Sequence, residues 1–352
     1  MKRLMVLLAL VVSFGVLAVA CSGGNPTATP SSAQPTAKPA GPLTVYSGRS
    51  EELVEPIIEQ FQKDTGIEVK VRYGDTAELA ATISEEGSRS PADVFWAQDA
   101  GALGAVAKQG LFQTLPSDLL NRVDARFRSA NGEWVGITGR VRVVAYNTKK
   151  LTEADLPASI YGFTDAKWKG RIGWSPTNGS FQAFVTAMRL LDGEAKARQW
   201  LEGIKANQPK AYANNEAVAL AVGNGEVDVG FVNHYYLYAL LKSQGPSFPL
   251  RNYYPREGGV GALVNAAGIG ILKSSQHQAA ARAFIDYMLS RKAQEYFGGD
   301  SPDDAYEYPL VQGIQIHPDL PPLSQIKSPK VDLSNLDDLQ GTLKLLQDLG
   351  IL

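Results

Sequence analysis

The chain has 352 residues, 44% of them hydrophobic and 20% charged, with 34 Lys and Arg against 36 Asp and Glu for a net charge of −2. That length fits about two domains, and the near balance of charge excludes both the basic face of a nucleic-acid binder and an acidic disordered chain. One cysteine excludes an internal disulfide, a Cys-rich zinc site and a CxxC redox pair, and three histidines leave little material for a His-based metal centre.

The first segment reads as an address. Lys2 and Arg3 precede a 16-residue uncharged run at 5–20. That run is shorter than the roughly 20 residues of a membrane span and has the form of a secretory signal. It ends in Leu17-Ala18-Val19-Ala20-Cys21, which resembles the bacterial lipoprotein box and implies a lipidated Cys21 as the mature N-terminus. Residues 22–41, rich in Pro, Ser, Thr and Ala, then read as a disordered tether.

Beyond the tether the chain alternates strand and helix. Leu43-Thr44-Val45-Tyr46 predicts a strand. Glu51–Thr65 predicts a helix, since Leu53, Val54, Ile57, Ile58 and Phe61 share one face, Ser50 is a natural N-cap and Gly66 a stop. Residues 67–73 predict a strand, 77–86 a helix and 92–96 a third strand. This βαβαβ rhythm implies a parallel sheet with helical crossovers. A β-branched run covers 138–147, and a new sheet starts at 170–174. Helices are expected at 181–191 and 195–206, a strand at 227–232, and a second long run at 260–272. One amphipathic helix over 275–297 and another over 336–349 complete the pattern.

The two long runs bracket a middle block. The simplest reading is two α/β lobes joined by crossing strands: 42–140 plus 267–352 as the first, 141–266 as the second. Ligands of open α/β sheets bind beyond the carboxyl ends of strands, so two facing lobes create a cleft at a hinge. No P-loop, H-E-x-x-H, G-x-S-x-G elbow or dinucleotide fingerprint is present. The acidic stretch Asp300-Ser301-Pro302-Asp303-Asp304 reads as a solvated loop.

Asn233-His234-Tyr235-Tyr236 follows the strand at 227–232 and opens a helix. Side chains of neighbouring helical residues point about 100° apart, so two phenols converge only on something at the helix mouth. Phenolate oxygens suit a hard trivalent cation such as ferric iron. The same pair also serves as ordinary aromatic packing with hydrogen-bonded hydroxyls. A catalytic reading, with Tyr235 as a base, lacks a second group.

With these stretches stand Thr44-Val45-Tyr46-Ser47-Gly48-Arg49, Pro91-Ala92-Asp93-Val94-Phe95, Gly139-Arg140-Val141-Arg142-Val143, Lys167-Trp168-Lys169-Gly170-Arg171-Ile172-Gly173, Asn224-Gly225-Glu226-Val227 and Glu307-Tyr308-Pro309-Leu310. In this order they resemble the bacterial ferric-ion-binding proteins, receptors of iron ABC importers with the type II periplasmic binding-protein fold. The resemblance covers nearly all of 42–350. It implies two mixed sheets flanked by helices, two crossing hinge strands and no enzymatic activity. It further implies delivery of ferric iron to a membrane permease, and with the lipoprotein box at Cys21 the expectation is a monomer outside the cytoplasm, anchored by lipid.

It implies Tyr235 and Tyr236 as iron ligands. The family's histidine and glutamate ligands fall by position on Ser50 and Gln98, poor ferric ligands, with Asp99 a substitute if the loop shifts by one. A further family tyrosine finds no counterpart in Pro176-Thr177-Asn178-Gly179-Ser180-Phe181. A carbonate or phosphate co-bound with iron is implied at Asn178, Gly179 and Ser180, with Asn215 and Asn233. A helix N-terminus there independently favours an anion, and Arg140 is placed to neutralise it. The losses at Ser50 and Gln98 leave a second expectation open: the same fold serving an inorganic or organic anion, a polyamine or chelated iron.

Overall fold

A computed structural model of the chain describes residues 42–298 and 306–352. The signal, Cys21, the tether and the acidic loop at 300–304 lie outside the described residues.

The first part follows the expected rhythm. Strand β1 (Leu43–Ser47) leads to helix α1 (Glu51–Thr65), then β2 (Val69–Tyr73), α2 (Thr76–Glu86) and β3 (Val94–Ala97). Strand β1 pairs in parallel with β2 and with β3. Val54, Ile57, Ile58 and Phe61 form the buried stripe of α1, and Gly66 closes the helix in the left-handed conformation at φ 70°, where a side chain would clash.

Next come α3 (Ala100–Lys108), α4 (Ser117–Leu120) and β4 (Val135–Asn147). All 13 residues of β4 are buried, which suits a strand with six β-branched residues covered on both faces. The middle block contains β5 (Ile172–Trp174), α5 (Gly179–Asp192), α6 (Glu194–Ala206), β6 (Lys210–Ala211), α7 (Asn215–Asn224), β7 (Val229–Asn233), α8 (Tyr236–Gln244) and β8 (Leu250–Tyr253). The chain returns through β9 (Val264–Ile271), α9 (Gln278–Met288), α10 (Arg291–Gly298), β10 (Tyr308–Pro309) and α11 (Leu339–Asp348).

The strand order is β2-β1-β3-β9-β4-β7-β5-β6, with β8 and β10 also bonded to β4. Strand β4 is the shared member. Its first half, to Val141, pairs with antiparallel β9, and from Arg142 onward it pairs with β7 and β8. One apolar core packs around the first sheet, with Phe61, Phe95, Trp96 and Phe284. Two others flank the second, one around Phe163, Trp168, Phe181 and Trp200, the other around Val218, Val222, Leu237 and Leu250.

Three expectations need correction. Helices α3, α4 and α7 were not among the expected elements. The two glycines of α3 weaken its helical signal but permit close packing, since a Cβ at Gly101 would stand 2.4 Å from the Leu336 carbonyl oxygen. The single helix expected over 275–297 is two, because Gln294, fully buried, donates to the carbonyls of Met288 and Ile137 at 2.9 Å and accepts from the Leu310 and Val311 N–H groups. The final helix, assigned by sequence to the first lobe, packs on the middle block. Leu345 and Leu346 enter the core of Phe181 and Trp200, and the Thr342 and Thr186 hydroxyls share a 2.7 Å hydrogen bond.

Candidate metal and anion site

Strand β7 ends at Asn233 and α8 begins at Tyr236, which puts the tyrosine pair at a strand's carboxyl end. The phenol oxygens of Tyr235 and Tyr236 stand 3.4 Å apart and the ring centroids 4.4 Å apart. That separation exceeds a good hydroxyl hydrogen bond but lets both oxygens address one point. Asn233 Nδ2 lies 3.5 Å from the Tyr235 hydroxyl. Burial pushes the Tyr236 phenol well above its ordinary pKa, and the Tyr235 charge adds to this, while Arg49 and Arg140 pull the other way. A hard cation at the pair would reverse that balance by replacing the protons with a larger positive charge.

The pair opens on two adjoining hollows. One, of about 580 Å³, is lined by Ser50, Glu52, Glu216, Tyr235, Tyr236 and Tyr306 among others. The second, of about 560 Å³, includes Arg49, Ser50, Thr76, Gln98, Asn178 and Tyr236. Both join residues from α1 and its preceding turn to residues of the middle block, so this is a cleft between the two sheets.

Four of the residues expected to hold an anion, Asn178, Ser180, Asn215 and Asn233, are tied into one network. Asn178 caps α5, its side-chain oxygen accepting from the Ser180 N–H at 3.0 Å and the Ser180 hydroxyl at 2.6 Å. Asn215, fully buried, donates to that same oxygen at 3.0 Å and to the Ser180 hydroxyl at 2.9 Å. Arg142 ties in Asn233 at 3.2 Å and Ser180 at 3.3 Å. Arg140 is 1% exposed, and none of its three guanidinium nitrogens has a hydrogen-bond partner. An orphaned buried guanidinium is costly.

The model of the bacterial extracellular solute-binding protein family matches residues 46–295. The chain belongs to that family. It is 35% identical over 312 residues to the major ferric iron-binding protein of Neisseria meningitidis, covering 88% of this chain and 93% of that one. It is 36% identical over 311 residues to the Fe(3+)-binding periplasmic protein of Serratia marcescens, covering 88% and 90%. Among solved structures, iron-bound HitA from Pseudomonas aeruginosa matches with a TM-score of 0.82 and 39% identity over 88% of this chain and 99% of that one. A Trichodesmium protein in complex with iron and citrate matches with a TM-score of 0.73 and 30% identity, at 88% and 99% coverage. The fold is the type II periplasmic binding-protein fold, and a solute-binding protein of this kind works outside the cytoplasm by binding rather than by catalysis.

In this solute-binding protein the three substitute ligand positions differ in placement. Ser50 is exposed and lines both hollows beside Tyr236. Gln98 is 9% exposed and lines only the second. Asp99 lines neither hollow. It caps α3, accepting the Ala102 N–H at 3.1 Å, and burial raises its pKa against the pull of Arg140. Among the described residues no three His, Cys, Asp or Glu side chains converge as a metal site, and no helix is long and apolar enough to cross a membrane.

Sequence reasoning missed two arginines of the site. Arg142, buried against Asn233, has its pKa lowered to about 9 by burial, with the tyrosines opposing. Arg49 is buried and paired with Glu307 at 2.9 Å. Burial works against its charge, but Glu307, Tyr235 and Tyr236 outweigh it and raise its pKa. Arg140 and Arg142 sit two apart on β4, and a strand's period of two puts them on one face. That spacing was the available signal for Arg142. Arg49 and Glu307 are 258 positions apart, and nothing local announces their pairing.

Proposed function

We propose that this protein is the substrate-binding component of an iron ABC importer. Ferric iron binds between the Tyr235 and Tyr236 oxygens, and a small oxyanion binds with it at Asn178, Gly179, Ser180, Asn215, Asn233 and Arg140. The observation that carries this reading is the 3.4 Å approach of two phenol oxygens at the base of a cleft. Two phenolates leave one positive charge on the ion. The anion offsets that charge and is itself offset by Arg140. Ser50 and Gln98 offer only neutral oxygens in the hollow that Tyr236 lines, so the tyrosines and the anion supply the charged ligands.

Lobes of 42–140 with the returning chain, and of 141–266, close over the cargo, with α11 docked on the second. Cys21 carries the lipid anchor, the protein acts as a monomer, and the closed form docks on the permease.

The test is spectroscopic. Ferric iron with bicarbonate or phosphate should give a phenolate-to-iron absorption in the visible range. The double substitution Tyr235→Phe with Tyr236→Phe should abolish it and the associated thermal stabilisation, which follows from mass action. An unchanged spectrum in the double variant would overturn the assignment.

A further inference from the structure

The residue before the tyrosine pair is tied to the strand that the two sheets share. His234 is fully buried. Its N–H donates to the Val141 carbonyl at 3.1 Å, and its Nδ1 accepts the Val141 N–H at 3.2 Å. A ring nitrogen that accepts carries no proton, so the imidazole is neutral with its proton on Nε2. Val141 is also fully buried, and it is the last residue of β4 to pair with β9, whereas Arg142 is the first to pair with β7. One histidine therefore bonds both main-chain groups of the residue at which β4 passes from one sheet to the other. The same imidazole stands edge-on to the Tyr235 ring, with centroids 5.6 Å apart at 82°. It lies 4.9 Å from the ring of Tyr308, whose strand pairs with β4 at Gly139. From β8, the Asn252 side chain donates to the His234 carbonyl at 2.7 Å.

We propose that His234 is a positioning residue for the metal site. Its Nδ1 fixes the tyrosine turn to the crossing point of β4, and through that bond the Tyr235 phenol keeps the direction in which it meets the Tyr236 phenol. This rests on the reading of Tyr235 and Tyr236 as ferric ligands and deepens it. A group behind a metal ligand acts by holding that ligand's orientation. Without the acceptor, the Val141 N–H is left unpaired in a buried place, and the turn parts from the strand to satisfy it. Because β4 belongs to both sheets, the phenol that grips the iron and the strand about which the lobes close move together.

The required feature is an acceptor at the place of Nδ1. Asn carries Oδ1 there, whereas Leu puts a methyl there. In a ferric titration of the full chain with phosphate present, His234→Leu should bind iron about 10–100-fold more weakly than the parent, the scale for groups that orient a metal ligand. Its phenolate-to-iron band should be displaced, and His234→Asn should bring both affinity and band back towards the parent. His234→Gln moves the acceptor one bond outward and should weaken binding as Leu does, so it serves where the Leu variant folds poorly. Amide exchange at Val141 in the iron-free proteins should be slow in the parent and the Asn variant and faster in the Leu or Gln variant. An Asn variant as weak as these, a Leu or Gln variant as tight as the parent, or equal Val141 exchange in all would overturn the proposal. Absence of iron colour in the parent would count against the tyrosine reading, and Val141 exchange would still judge His234.

Discussion

The Arg49–Glu307 pair joins the turn after β1 to the segment that pairs with β4, and removing one partner should be far worse than removing both. The guanidinium and carboxylate are 2.9 Å apart, with side chains 1% and 0% exposed. Glu307 Oε2 also accepts from the Thr138 hydroxyl at 2.8 Å, yet Glu307 Oε1 and Arg49 Nε have no partner. The pair is thus buried but incompletely satisfied, the situation in which desolvation consumes most of the Coulomb gain. Glu307→Ala strands a buried cation and should cost about 3–5 kcal/mol, whereas Arg49→Met with Glu307→Leu should recover most of that loss. Equilibrium urea unfolding of the iron-free protein measures both. A Glu307→Ala variant within about 1 kcal/mol of the parent, or a double variant as unstable as the single one, would refute the reasoning, since stranding a buried charge is expected to cost several times that.

Gly179→Ala places a methyl 3.1 Å from Asp99 Oδ2 and 3.5 Å from the Thr76 Cβ. It should prop the cleft open, seen as weaker ferric binding and a larger ligand-free radius in small-angle scattering, with the melting temperature nearly unchanged. Gln294→Leu removes four hydrogen bonds, three of them buried, to Ile137, Met288, Leu310 and Val311. It should cost about 2–4 kcal/mol in urea unfolding because the freed backbone groups stay buried. Burial raises the pKa of Asp228, but Lys150 and Arg171 outweigh it and leave the net shift downward. Its folded pKa is therefore below its unfolded one, so its contribution is present above the unfolded carboxylate range and lost as pH falls through the folded value. Asp228→Asn should show a smaller loss of urea midpoint below pH 4 than the parent.

Legibility in the sequence followed the range of the interactions. The stripe of Val54, Ile57, Ile58 and Phe61 announced α1 because helix periodicity is local. The tyrosine pair was legible for the same reason: strand, turn and helix start are contiguous at 227–236. Helix α7 was not, because its burial is nearly all-round and leaves little amphipathic contrast. The break between α9 and α10 depends on Gln294 reaching Ile137, and the docking of α11 depends on Thr342 meeting Thr186. Within the site, the cradle residues were readable as a helix cap with neighbouring amides. The approach of Asp99 to Gly179 arises only when the two sheets face each other, and no spacing along the chain encodes it.

Strand β4 has a consequence for dissecting the molecule. Because its first half completes one sheet and its second half another, a cut beside Val141 gives neither fragment a finished edge. Each piece would carry a row of unpaired peptide groups alongside Val-rich surface, the condition that favours sticking to a second copy. Expressed apart, the fragments should precipitate, and expressed together they should rescue one another.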